Sequence, residues 1–136
     1  MEELKSKTCC FTGHRNIPTD KLPMIYHQVE NEIKKLIENG YLYFGSGGAR
    51  GFDTISAEVV LRLKKYYPQI RLILVLPCLE HTPGWAESDL QKHEYIIKNS
   101  DKVVYTSHKY TKDCMHKRNR HLVDNSSAGI CYLNRM

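Results

Sequence analysis

Five short apolar runs alternate with stretches of helical periodicity along the chain, and that alternation admits few folds. Thr8 to Thr12 reads as a first strand, closed by Gly13. From Thr19 or Asp20 to Asn39, the residues Leu22, Ile25, Tyr26, Val29, Ile33, Leu36 and Ile37 recur on one helical face. Asn39-Gly40 supplies the stop, because glycine accepts the left-handed conformation that ends a helix. Tyr41 to Phe44 is a second strand, and a helix from Asp53 to Tyr67 follows, with Ile55, Val59, Val60 and Leu63 inward until Pro68 breaks it. Ile70 to Leu76 is a near-continuous aliphatic run, as a strand covered on both faces requires. A helix over Glu87 to Asn99, a strand over Lys102 to Tyr105, a basic helix over Lys112 to Asp124 and a strand over Ala128 to Leu133 complete the series. The pattern predicts an α/β, Rossmann-like, three-layer fold: one domain over residues 1–136, with a mostly parallel sheet of about five strands flanked by helices. In such sheets ligands bind at the carboxyl ends of the strands, where the strand order reverses.

Composition removes several alternatives. A chain of 136 residues buries roughly two-thirds of its unfolded surface, so it needs no disulfide or metal staple. The five cysteines include no C-x-x-C, which argues against structural zinc, and adjacent Cys9 and Cys10 would face opposite sides of a strand. A reduced, cytoplasmic protein is expected. Met1 to Lys7 is polar and is expected to lead directly into the first strand, with no signal peptide. The longest apolar stretch, Leu72 to Leu79, is too short to span a bilayer, so no membrane partner is expected. The net charge of +5 suits an anionic ligand or plain solubility. Seven scattered histidines make no metal pattern, and no metal or cofactor is expected.

The chemistry-bearing residues cluster after predicted strands. Gly45, Ser46, Gly47, Gly48, Ala49, Arg50 and Gly51 join a strand to a helix. Successive backbone N–H groups in such a loop converge into a nest for an anion, and the helix adds its free N-terminal donors. Arg50 is placed to close on a phosphate; the plainer reading is a tight turn with ordinary capping. No Lys-Ser/Thr pair ends the loop, so it is not a Walker A motif. Asp53 stands where an N-cap would, or where a carboxylate would accept ribose hydroxyls. Thr12, Gly13, His14 and Arg15 follow the first strand, and Arg15 offers a fixed charge for phosphate. Trp85, flanked by Glu80 and Glu87, either stacks a base or anchors its loop. Lys112, Lys117, Arg118 and Arg120, with His116 and His121, make an electropositive helix or a solvated face; this run alone does not favour nucleic acid. No nucleophile elbow or catalytic triad signature occurs.

Together, Thr12-Gly13-His14-Arg15, the Gly-Ser-Gly-Gly-Ala-Arg-Gly-Phe-Asp run at 45–53 and Met115-His116-Lys117-Arg118-Asn119 resemble the YpsA-like branch of the SLOG superfamily. That group also holds the DNA-processing protein DprA and the "lonely guy" phosphoribohydrolases. The resemblance covers essentially the whole chain. It implies a Rossmann-like domain that binds a nucleotide or a nucleotide-derived molecule of the ADP-ribose or nucleoside-monophosphate kind, as sensor or sequestering domain. The phosphoribohydrolase likeness implies an active-site role for Arg118, with Asn119 beside it in the binding motif. The second glycine loop and the catalytic glutamate of those enzymes do not follow the fifth strand here. Glu94, Asp89 or Glu80 would have to stabilise the sugar cation of an N-glycosidic cleavage, and Glu94 is the candidate taken forward. The expectation is therefore a binder, with N-glycosidic hydrolysis of nucleoside monophosphates and DprA-like contact with single-stranded nucleic acid as alternatives. A missing last helix would expose an apolar sheet face, which favours a homo-oligomer.

Overall fold

The computed structural model of this chain describes residues 2–78, 84–107 and 112–132. Its elements run α1 (Glu2–Ser6), β1 (Thr8–Gly13), a 3-10 turn (Thr19–Lys21), α2 (Leu22–Glu38), β2 (Tyr43–Ser46), α3 (Phe52–Lys64), β3 (Arg71–Leu76), α4 (Glu87–Asn99), β4 (Lys102–Tyr105), α5 (Cys114–Asp124) and β5 (Ala128–Tyr132). The five strands form one parallel sheet in the order β4-β3-β2-β1-β5. This is the Rossmann-like α/β architecture that the alternating pattern predicts.

Period-two alternation sorts the strand residues onto two faces. Cys9 and Phe11 of β1, with Leu72, Leu74 and Leu76 of β3, join the main core beneath α2, α3 and α4. Cys10, Ile73, Val75 and Val104 point the other way and pack with Leu122 of α5. The α2 stripe of Ile25, Val29, Ile33 and Ile37 is buried at four-residue spacing, each side chain contributing about 1.5–3 kcal/mol. Gly40, at φ +91°, ends α2 as predicted: its N–H donates to Ile37 C=O and that of Tyr41 to Leu36 C=O, each at 3.0 Å. Leu4 and Lys5 of α1 border the same face as α5, and in the order β4-β3-β2-β1-β5 the strand order reverses direction between β1 and β5.

Several boundaries differ from expectation, among them α5, which starts at Cys114 rather than Lys112. The segment before β1 forms the short helix α1, closed where Lys7 N–H donates to Leu4 C=O at 3.1 Å. Tyr41 is spent on the α2 cap, and the N–H groups of both Leu42 and Tyr43 turn to Lys7 C=O, so β2 starts at Tyr43. It then carries Gly45 and Ser46 into the ladder opposite Ile73 and Leu74. Helix α3 begins at Phe52 with Gly51 as its N-cap; Asp53 is therefore a buried first-turn residue rather than the cap. It ends at Lys64, where the N–H groups of Tyr66 and Tyr67 both fold back onto Leu63 C=O. Among the described residues, no helix is long and apolar enough to cross a membrane.

Candidate functional site

The parallel ladder brings the ends of β1 and β2 together, and hydrogen bonds then fix the two loops that follow. His14 N–H donates to Tyr132 C=O of β5 at 3.3 Å, and His14 C=O accepts from Phe52 N–H at 3.1 Å. Gly51, at φ +77°, lies against the Arg15 backbone; a Cβ there would stand 2.2 Å from the Arg15 carbonyl oxygen. Gly13 is equally constrained, since a Cβ would come within 2.6 Å of the Phe52 ring. Phe52 stacks in turn on Tyr132 at 5.9 Å, and His14 meets Tyr132 edge-on at 6.3 Å.

The glycine loop is braced from within. Ser46 is fully buried; its hydroxyl donates to Asp53 C=O at 3.0 Å and accepts from Gly48 N–H at 3.3 Å. Ser46 therefore shapes the loop from below. Thr54 Oγ1 donates to Ala49 C=O at 2.9 Å, and Ala49 N–H donates to Asp53 Oδ2 at 3.2 Å. Gly48 turns at φ +71° against Leu76, with His93 beyond it.

Arg118, only 5% exposed, enters this loop from α5. Its Nη1 donates to Gly47 C=O, its Nε to Asn119 Oδ1 at 2.7 Å, and its Nη2 contacts Met115 Sδ at 3.8 Å. A Cβ on Gly47 would fall 2.6 Å from Arg118 Nη1 and 2.9 Å from Asp53 Oδ2, so both charged groups flank that glycine. Burial pushes the Asp53 carboxyl up to about 6, against the lowering influence of Arg118, the Ala49 N–H and Arg15. Burial also lowers Arg118, opposed by the Asp53 charge. A guanidinium remains charged under such a shift, so the site keeps a buried cation.

Above the loop, Arg15, Ala49, Arg50, Trp85, Met115 and Arg118 line a cleft of about 30 Å³. The Arg50 guanidinium lies 5.5 Å from the Trp85 ring centroid, and Trp85 meets His93 edge-on at 5.2 Å. This stack closes the cleft on one side. Volume alone does not mark the site: clefts of about 540 and 550 Å³ lie along α2 with β5 and between α3 and α4. What sets the small cleft apart from these is that three arginines converge on it.

The structure thus gathers Gly13, His14, Arg15, Gly47, Gly48, Arg50, Gly51, Asp53, Trp85, Arg118 and Asn119 into one neighbourhood. Thr12 is exposed at the end of β1, Gly45 lies inside β2 against Leu122, and Glu94 is exposed on α4 beside the buried His93. No described hydrogen bond or ion pair joins Glu94 to Arg118; the carboxylate brought to Arg118 is Asp53. Glu80 lies outside the described residues, as does Leu133. His93 and Met115 were not singled out as site residues from sequence. His93 stands three residues before buried Ile96, a spacing that marks the inner face of α4. Among the described residues, no group of three or more His, Cys, Asp or Glu is placed to hold a metal ion.

Fold and site together define a Rossmann-like domain with a glycine-rich loop after β2, packed against the loop that follows β1 of a parallel sheet. The sequence profile of YpsA, the YspA SLOG family, matches residues 9–135, and the chain belongs to that family. The UPF0398 protein SERP1017 of Staphylococcus epidermidis is 32% identical over 102 residues, 70% of this chain and 54% of that protein. The UPF0398 protein of Lysinibacillus sphaericus is 31% identical over 100 residues, 68% of this chain and 56% of that protein. The chain spans about half the length of the curated relatives it matches. Among solved structures, DNA processing protein A from Helicobacter pylori, described for its single-stranded DNA binding mode, superposes with a TM-score of 0.63 at 21% identity. The match covers 96% of this chain and 55% of that one, and it supports the fold.

Proposed function

We propose that this chain binds a nucleotide or nucleotide-derived small molecule by its phosphate, as a sensor or sequestering domain. The observation that carries this reading is the convergence of Arg15, Arg50 and Arg118 on one cleft above the Gly47–Gly51 turn. Arginine suits phosphate because its planar fork donates two parallel hydrogen bonds. Thermal unfolding with AMP, ADP-ribose, NAD and cyclic nucleotides tests the reading. A ligand at a hundred times its dissociation constant adds about 2.7 kcal/mol of stability. No stabilisation by any of them removes the proposal.

A second reading is contact with single-stranded nucleic acid. It is supported by the exposed Lys112, Lys117 and Arg120 at and along α5, and by the single-stranded DNA binding described for the Helicobacter pylori neighbour. Affinity for an oligo-dT strand that falls steeply with added salt supports this mode; affinity indifferent to salt, or no binding, excludes it.

The same reading takes the chain as a homo-oligomer. The edge position of β5 and the partly buried Ile130 at a cleft of about 540 Å³ along α2 support cover by a second copy. Sedimentation at a single-chain mass across micromolar concentrations would remove that part.

A further inference from the structure

A groove of about 230 Å³ opens from the arginine cleft and shares Arg15 and Arg50 with it. Its apolar surface comes from Ile17, Leu22 and Ile55, and its hydrogen-bonding groups include Tyr26, Glu58 and Asp89. Tyr26 Oη donates to Glu58 Oε1 at 3.2 Å, which orients that carboxylate, and Asp89 is half-buried in the first turn of α4. Lys92, also on α4, lines the groove with them, so Arg15 and Arg50, shared with the arginine cleft, are joined by Glu58, Asp89 and Lys92 beside an apolar wall.

We propose that this groove is a second subsite, which takes the uncharged, hydroxyl-bearing part of a phosphorylated ligand, the sugar of a nucleotide above all. The inference rests on the phosphate reading of the arginine cleft and deepens it. Carboxylates accept hydrogen bonds and cannot donate them when ionised, so Glu58 and Asp89 select groups rich in O–H or N–H donors. Vicinal sugar hydroxyls are such groups, and the aliphatic wall of Ile17 and Ile55 suits the ring carbons. Arg15 and Arg50, which the groove shares with the arginine cleft, hold the phosphate, and the hydroxyl-bearing end lies toward Glu58 and Asp89, where Lys92 can also donate to a hydroxyl oxygen. A nucleoside monophosphate or a sugar monophosphate fits this arrangement.

Isothermal titration of the full chain with inorganic phosphate, ribose 5-phosphate and AMP tests the subsite. Ribose 5-phosphate and AMP are expected to bind at least roughly tenfold more tightly than inorganic phosphate. Asp89→Asn should weaken the two sugar phosphates by about fivefold and leave inorganic phosphate within about twofold. Asn16→Trp places a large ring at the exposed mouth of the groove and should act in the same sense, so the test does not hang on one variant. Arg15→Ala should weaken all three ligands. If ribose 5-phosphate binds no more tightly than phosphate, or both groove variants spare it, the subsite is overturned and the phosphate reading stands. If the native chain binds none of the three, the phosphate reading falls and the subsite falls with it.

Discussion

Arg118 donates from α5 to the carbonyl oxygen of Gly47, and this contact ties a helix on one face of the sheet to a loop leading to a helix on the other. Because Arg118 is buried beside Asp53, removing it leaves two groups short of a partner. Arg118→Ala is expected to cost about 2–4 kcal/mol in urea denaturation. Arg118→Lys restores a charge without the planar fork and should recover only part of that loss. Arg120→Ala, exposed on the same helix, should stay within about 0.5 kcal/mol. Equal effects at 118 and 120 would show that the Gly47 contact contributes nothing.

Two glycines with positive φ separate crowding from conformation. Gly51→Ala, whose Cβ would stand 2.2 Å from backbone oxygen, must move the Arg15 loop, and a loss of more than about 3 kcal/mol is expected. Gly40→Ala has a similar φ but nothing within 4 Å, so only the left-handed strain of about 1–2 kcal/mol applies. Thermal melts of the two variants should rank them clearly. Similar melting temperatures would mean that the two loops do not touch as described.

What the sequence encoded locally was readable, and what it encoded through distant contacts was not. Helix α4 over Glu87–Asn99 and strand β4 over Lys102–Tyr105 have the bounds their periodicity predicts, since apolar spacing and turn residues act within a few positions. The start of β2 was misplaced because Tyr41 completes the α2 cap on Leu36 and Leu42 bonds to Lys7, a partner no short window contains. Asp53 looked like a cap for the same reason. Its burial follows from Arg118, Ala49 and the Ser46 brace, and only folding brings Arg118 there. The glycine run itself was visible, but its first glycine belongs to a strand, where it leaves room for Leu122.

Arg50 is the site arginine whose loss should separate binding from stability. Its contact with the Trp85 face at a partly exposed position is worth about 0.5–1 kcal/mol. Arg50→Met should therefore melt within a few degrees of the native chain. On the phosphate reading it should bind AMP at least about tenfold more weakly. Trp85 is the single tryptophan, so its emission reports on this cleft alone and should change both in the variant and on adding ligand. An Arg50→Met chain with undiminished affinity would place the phosphate elsewhere.

Asp53 should give the fold a distinctive pH dependence. Its carboxyl is raised from the ordinary 3.8 to about 6, so the folded chain holds this proton more tightly than the unfolded chain does. The stability this residue contributes is then fully present below about pH 4 and is lost as pH rises through about 6. Asp53→Asn does not titrate there, and its amide oxygen still accepts from Ala49 N–H. The native chain's stability relative to Asp53→Asn should therefore fall between pH 4 and 7, by up to about 3 kcal/mol for a shift of this size. Denaturation of both chains across that range checks the sign, and a flat difference would mean that Asp53 ionises as freely in the fold as out of it. Arg118→Ala adds a second handle. Because the Arg118 charge holds the Asp53 carboxyl down, its removal should move the transition to higher pH, whereas neutralising exposed Arg120 should leave it in place.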